Sequence, residues 1–230
     1  MKTYLAESIF FGAVISLAAY EAGLLIKKKF KLAILNPLLI ATVCVMAVLL
    51  LFNIDYTQYN EGAKYISYLL TPATVCLAVP LYQQLELLKQ NWKAVAGGIT
   101  AGVLASLVSV FLLSKLFSLT HEQYVTLLPK SITTAIGMGI SEELGGITTI
   151  TVAVIIVTGI LGNVIAEFVC KIFRIEEPIA KGLALGTASH AIGTAKAMEL
   201  GEVEGAMSSL AIAVAGLMTV VGASIFANLM

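Results

Sequence analysis

The chain has 230 residues, 59% of them hydrophobic and only 12% charged, with a mean hydropathy of +0.95. A soluble domain is about one-quarter charged, so this composition excludes an ordinary soluble fold and points to an integral membrane protein. Basic and acidic residues balance at 14 each, which excludes an extended basic face for nucleic acid and leaves no bulk charge to recruit an acidic partner.

Apolar windows of membrane length recur at 5–26, 36–52, 63–85, 94–117, 146–170, 179–198 and 206–229. The first starts within MKTYLAESIF, shows no cleavage signature and is too long for a signal h-region, so it reads as a span. Loop charge sets orientation. Lys27, Lys28, Lys29 and Lys31 place the first loop inside, the acidic NIDYTQYNEG places the next outside, and Lys89 and Lys93 place the third inside. Residues 118–128 then fall outside, while Lys171, Arg174 and Lys181 want a later loop inside. Both hold only if the short polar segment PKSITTAIGMGISEE (129–143) dips into the membrane and returns. The expected architecture is therefore an all-α polytopic membrane protein. It has seven spans plus one re-entrant segment in a single domain over 1–230, with the N-terminus outside, the LGEVEG turn (200–205) outside and the C-terminus cytoplasmic.

Two stretches resemble each other, EGAKYISYLLTPATVCLAVP (61–80) and EPIAKGLALGTASHAIGTAK (177–196), and NPLLIAT (36–42) resembles LPKSITT (128–134). The matching segments run in opposite directions in the derived topology, as in an inverted repeat of about 32–118 and 124–230. Transporters of that design place substrate between interrupted helices of the two halves. The expected interruptions are Thr71–Pro72, with Pro80 beyond, and Gly186 to Gly193.

His190 and Lys196 are the costly residues, because an ionisable side chain within a span marks function by default. His190 titrates near neutrality and suits proton coupling; the alternative is a neutral histidine bonded to a neighbouring helix. Lys196 could hold a carboxylate together with half-helix N-termini, or snorkel to the interface. Thr71, Pro72, Thr74, Ser131, Thr133, Thr134, Thr187, Ser189 and Thr194 form three clusters that could line a polar path, against the plain alternative of hydrogen bonds within and between helices. Lys130 is equally an outer gate or an interfacial anchor. Asn163 is equally a helix–helix bond or a ligand contact, Glu142 and Glu143 read as a solvated turn, and GGITAG (97–102) reads as tight packing or a dimer face. Cys44, Cys76 and Cys170 lie unpaired in apolar runs, neither a disulfide framework nor a metal site. The chain carries no HExxH or GxSxG motif, and Asp55 is its only aspartate, so neither an enzyme nor a metal or cofactor is expected.

The runs LPKSITTAIGMGIS (128–141), TPATVCLAVPLY (71–82) and AKGLALGTASHAIGTAKAMELG (180–201) resemble the LrgB/CidB family of bacterial membrane proteins over nearly the whole chain. The resemblance implies a bacterial plasma-membrane protein and two functional readings. One is a transporter of small carboxylates, pyruvate in bacteria and glycolate or glycerate in plastid relatives. The other is an antiholin-like regulator of murein hydrolase activity and autolysis, acting with a small LrgA/CidA-type membrane partner. The intramembrane His and Lys and the repeat favour the transporter, with the carboxylate between Thr71–Pro72 and Ser189–Lys196 under a roof of 129–143. A homodimer is expected for a small transporter of this kind.

Overall fold

The computed structural model describes residue 8 and residues 10–30, 35–76 and 78–230, apart from the side chains of residues 70, 71, 74, 80 and 81. All regular structure among the described residues is α-helical, in two compact units, Met1–Cys76 and Leu77–Met230.

The first unit contains α1 (Phe11–Phe30), α2 (Pro37–Phe52), α3 (Tyr56–Ser67) and α4 (Leu70–Cys76). Asn36 starts α2 by accepting from the Leu38 amide at 2.8 Å, and Pro37 follows at the first helical position, where its missing N–H costs nothing. Asn53 ends α2 in the left-handed region at φ 55°. Asp55 then caps α3 through the Thr57 amide at 2.8 Å. Helix α1 lies against α2 where Gly23 meets Pro37, and against α3 where Gly12 meets Tyr59 and Ala63. Ser16 bonds the Tyr59 hydroxyl at 2.8 Å beside a small core of Ala19, Ala41 and Val45.

The second unit contains α5 (Ala78–Gln83), α6 (Leu85–Gln90), α7 (Trp92–Leu116), α8 (His121–Leu127), α9 (Thr134–Glu143), α10 (Thr148–Ile172), α11 (Pro178–Leu200) and α12 (Glu202–Ala227). Helices α7, α10 and α12 are long and apolar enough to cross a membrane. At 1.5 Å per residue, the 25 residues of α7 span about 37 Å against a hydrocarbon core of about 30 Å. Each is sided. In α7, Val95, Ile99, Val103, Leu107 and Val110 are buried, and in α10 Val157, Leu161, Ile165 and Phe168 form an exposed apolar stripe at helical spacing. The buried face of α12 is built of small residues, among them Ala206, Ala211, Ala215 and Ala223, so neighbouring backbones approach closely.

Between the long helices sit two hairpins. Helices α8 and α9 form the first. The Thr151 hydroxyl on α10 donates to the Thr126 carbonyl at 2.9 Å and bonds Ser141 Oγ at 2.7 Å, so Thr126 of α8 and Ser141 of α9 lie at one level. Deeper in, Gly137 lies beside Pro129. The chain enters on α8, turns at 128–133 and leaves on α9, so the hairpin takes in residues of the expected loop 118–128 as well as of the segment 129–143.

The second hairpin corrects the sequence reading. α11 is not one helix through the membrane. Its backbone breaks at Ser189 (φ −134°, ψ 16°) and His190 (φ 41°, ψ −138°). Residues eight apart in a continuous helix are separated by about 12 Å along its axis. Here a Cβ on Gly193 would stand 2.5 Å from the Leu185 carbonyl oxygen, and Gly186 and Thr194 both reach Ser208. Residues 178–188 and 191–200 are antiparallel arms that enter and leave at the end where α10 finishes. Consequently α12 starts at that same end and finishes opposite, where Met230 lies 3.2 Å from His121 Nδ1. The C-terminus and the loop holding Lys171 and Arg174 are therefore at opposite ends, and LGEVEG lies at the basic end, contrary to the expected arrangement.

Two further differences concern the earlier windows. The expected span 63–85 is shared among α3, α4, α5 and α6. Its first break lies at Tyr68–Leu69, and Pro72 falls in the first turn of α4, where proline is tolerated. The window 5–26 is displaced toward α1, which carries Lys27, Lys28 and Lys29 in its last turn. The start of that window and Lys31 lie outside the described residues.

Candidate functional site

The two hairpin tips reach the same turn of α10. Gly137 of the first packs against the Ile155 side chain, and His190 Nε2 of the second lies 3.0 Å from the Ile155 carbonyl oxygen. A carbonyl only accepts, so Nε2 carries the hydrogen and Nδ1 is the nitrogen left to take a proton. His190 holds a backbone conformation that side chains seldom adopt, at a cost of roughly 1–3 kcal/mol. Two glycines of α10 make it possible: a Cβ on Gly159 would press on the His190 ring, and one on Gly162 would overlap Ser189 Oγ. Asn163 completes the clasp by donating to the Ile192 carbonyl at 3.0 Å, which assigns it to helix–helix bonding.

An open groove of about 720 Å³ runs between α7 and the first arm of α11. One wall is Ala94, Gly98, Gly102, Ala105, Ser106 and Ser109, spaced three and four apart along α7. The other is Ile179, Ala180, Leu183, Ala184, Thr187 and Ala188. Gly98 and Gly102 let the walls meet, since Cβ atoms there would stand 3.1 Å from Leu183 Cδ1 and 2.7 Å from Thr187 Oγ1. Asn91 and Glu177 complete the lining toward one end, and Lys130 and Ser131, at the tip of the first hairpin, complete it toward the other, which is called the deep end.

The deep end is rich in donors. Lys130 Nζ donates to Ser131 Oγ at 2.9 Å, and Ser106 Oγ donates to the same oxygen at 3.1 Å. A hydroxyl has two acceptor lone pairs and one hydrogen. Both lone pairs of Ser131 are taken, so its own O–H remains to be donated, and two hydrogens remain on Lys130. Among the described residues no carboxylate is ion-paired with Lys130. Lys130 is half-buried in the groove lining, so its unpaired charge is partly desolvated and a nearby anion would be favoured. The Ser106 hydrogen is spent on Ser131, so the donors left here are two hydrogens of Lys130 and the Ser131 O–H.

The other expected site residues stand elsewhere. Thr133 is the N-cap of α9 and Thr134 its first residue, both half-buried and close to Lys130 and Ser131 in sequence. Ser189 and His190 are buried against α10. Thr194 is buried and bonds the His190 carbonyl at 3.1 Å and Ser208 at 2.7 Å, so it ties the hairpin arm to α12. Thr187 lines the groove while its hydroxyl donates to the Leu183 carbonyl at 2.7 Å. Lys196 is neutralised by Glu167 at 2.5 Å and Glu199 at 3.2 Å, far down the returning arm from the tip. That pairing removes the free cation expected beside His190. Pro72 is exposed in α4, and the side chains of Thr71 and Thr74 lie outside the described residues. The sequence reading left Lys130 undecided and did not single out Ser106 at all. The signal available for it is SxxS (106–109), two hydroxyls one turn apart in the middle of a largely apolar helix.

A family described as the LrgB-like family matches residues 16–229. The chain is 42% identical over 213 residues to a protein named "Antiholin-like protein LrgB" from Bacillus cereus (strain B4264), covering 92% of this chain and 93% of that one. The same figures hold for the protein of that name from Bacillus anthracis (strain A0248). No solved structure matches.

Proposed function

This chain belongs to the LrgB-like family of membrane proteins, and from that premise we propose that it is a secondary transporter of small carboxylates in the bacterial plasma membrane. The observation that carries the reading is the Lys130 ammonium, ion-paired with no carboxylate among the described residues, beside the Ser131 hydroxyl in the lining of the groove. A three-carbon acid with six heavy atoms displaces at most about 180 Å³, allowing each heavy atom a water's share of about 30 Å³. It therefore fills only the deep end of the groove and leaves the remainder as an access path. One ammonium neutralises one carboxylate, which favours a monoanion of the pyruvate or glycolate type over a dicarboxylate.

The fold supports this reading. Two re-entrant hairpins from opposite ends, with broken backbone turned toward protein rather than lipid, suit the alternating exposure of a central site. An inverted repeat and the seven-span count belong to the proposal, as does proton coupling with His190 as its carrier. The basic residues at the 171–181 end support a cytoplasmic assignment of that end as part of this proposal. The test is uptake of labelled pyruvate and glycolate into vesicles holding this protein alone, with and without an inward proton gradient. Saturable uptake that rises with the gradient supports the transporter, and gradient dependence lost in folded His190→Gln protein supports the coupling role.

The name of the curated relatives favours a second reading, an antiholin-like protein that restrains an LrgA/CidA-type partner. That reading predicts no solute-selective uptake by the single component and an effect that appears only when the partner is added.

A further inference from the structure

We infer that the end of the second unit bearing Lys171, Arg174 and Lys181 binds the phosphate of an anionic phospholipid headgroup. This inference does not rest on the transport reading. The three cations line a cavity of about 300 Å³ between the last turn of α10 and the start of α11. They converge because the chain reverses there: Arg174 sits in the left-handed region at φ 52°, and Pro178 starts the next helix. Two carboxylates share the lining. Glu167 is shared with Lys196, which also pairs with Glu199, so the charged side chains of the lining, three cations and two carboxylates, leave a surplus of one positive charge. None of the three is ion-paired among the described residues. An arginine fork flanked by two lysines matches a phosphate diester, and basic pockets between helices at the membrane surface hold such headgroups.

What selects a lipid over a free phosphate is the surface beside the cavity. Phe168 and Ile172, one turn apart at the end of α10, are 66% and 57% exposed, an apolar strip where acyl chains would lie. A ligand with both an anionic head and a hydrocarbon tail uses both features.

Cys170 lies in the cavity lining and serves as reporter in protein carrying Cys44→Ser and Cys76→Ser. Maleimide labelling of Cys170 is measured in nanodiscs of phosphatidylcholine with and without phosphatidylglycerol, alongside native mass spectrometry of co-purified lipid. The expected result is that phosphatidylglycerol slows Cys170 labelling and is retained in preference to phosphatidylcholine. Retention should fall about tenfold or more in Lys171→Gln/Arg174→Gln/Lys181→Gln protein. Lys89→Gln/Lys93→Gln, which removes two lysines from another loop, should leave both readouts unchanged. The inference is overturned if phosphatidylglycerol gives no protection in the otherwise unaltered protein, or if the 89/93 variant loses as much lipid as the triple variant. If inorganic phosphate in phosphatidylcholine discs protects Cys170 as well as phosphatidylglycerol does, the assignment to a lipid is overturned in favour of a soluble phosphate.

Discussion

Replacing Gly162 by alanine should loosen the second hairpin, and the structure sets the size of the effect. The new methyl would overlap Ser189 Oγ, so the Ser189–His190 turn must move away from α10. Overpacking of this kind costs about 1–3 kcal/mol. A turn that moves also stretches the bond from His190 Nε2 to the Ile155 carbonyl, worth about 1 kcal/mol. Against this, alanine is the better helix former in the interior of α10 by about 1 kcal/mol. The net expectation is a loss of about 1–3 kcal/mol, the overpacking term alone once the other two cancel. The assay is thermal unfolding of purified protein in detergent, followed by loss of monodisperse protein on gel filtration. Gly97→Ala is the control, since nothing lies within 4 Å of a Cβ there and only the gain in helix propensity operates. Adding Ser189→Gly to Gly162→Ala removes the atoms that collide and should restore most of the stability. A Gly162→Ala protein as stable as its parent, or one that Ser189→Gly does not rescue, would refute the hairpin geometry.

Other expectations follow from individual contacts. Lys196→Gln should cost less than about 1 kcal/mol, because its ion pairs involve largely exposed carboxylates, and it should leave uptake unchanged, which transport kinetics would check. Gly102→Ala should press α7 away from Thr187 and narrow or distort the groove. Slower uptake with Gly97→Ala unchanged would be its signature. The Thr57 hydroxyl and amide hold the Asp55 carboxyl below its ordinary range. A lowered folded value means the cap's contribution is complete above the ordinary value and is lost as pH falls through the lowered one. Hydrogen exchange at the first turn of α3 should therefore accelerate only in acid, and Asp55→Asn should flatten that dependence.

Much of the second unit was legible because its long helices are written in length and hydropathy. The windows 94–117, 146–170 and 206–229 match α7, α10 and α12 within a few residues. The first hairpin was legible only in its second arm, α9, which falls in the short polar segment 129–143, while its first arm falls in the expected loop 118–128. The second hairpin was not legible, for a physical reason. Its two arms together hold about the number of apolar residues that one span needs, so length alone cannot separate a crossing from a return. The turn falls on a serine and a histidine rather than on a glycine, and the glycines that permit it belong to α10, some 30 residues away. The donors around Lys130 were hidden in the same way. Lys130 and Ser131 are adjacent, but Ser106 comes from another helix, and only the fold shows that Lys196 has two carboxylate partners while Lys130 has none among the described residues.

The central claim is that the groove ending at Lys130 binds a carboxylate. The most direct measurement is equilibrium binding of labelled pyruvate and glycolate to purified protein, comparing the parent with Lys130→Gln, Lys130→Arg and Lys196→Gln. Lys130→Gln removes the charge while keeping length and one donor group, and loss of a charge-assisted contact of about 1.5–3 kcal/mol corresponds to a weakening of roughly tenfold to more than a hundredfold. The account predicts that loss in Lys130→Gln, partial retention in Lys130→Arg and parent-like affinity in Lys196→Gln. Parent-like affinity in folded Lys130→Gln protein, or a loss confined to Lys196→Gln, would contradict it.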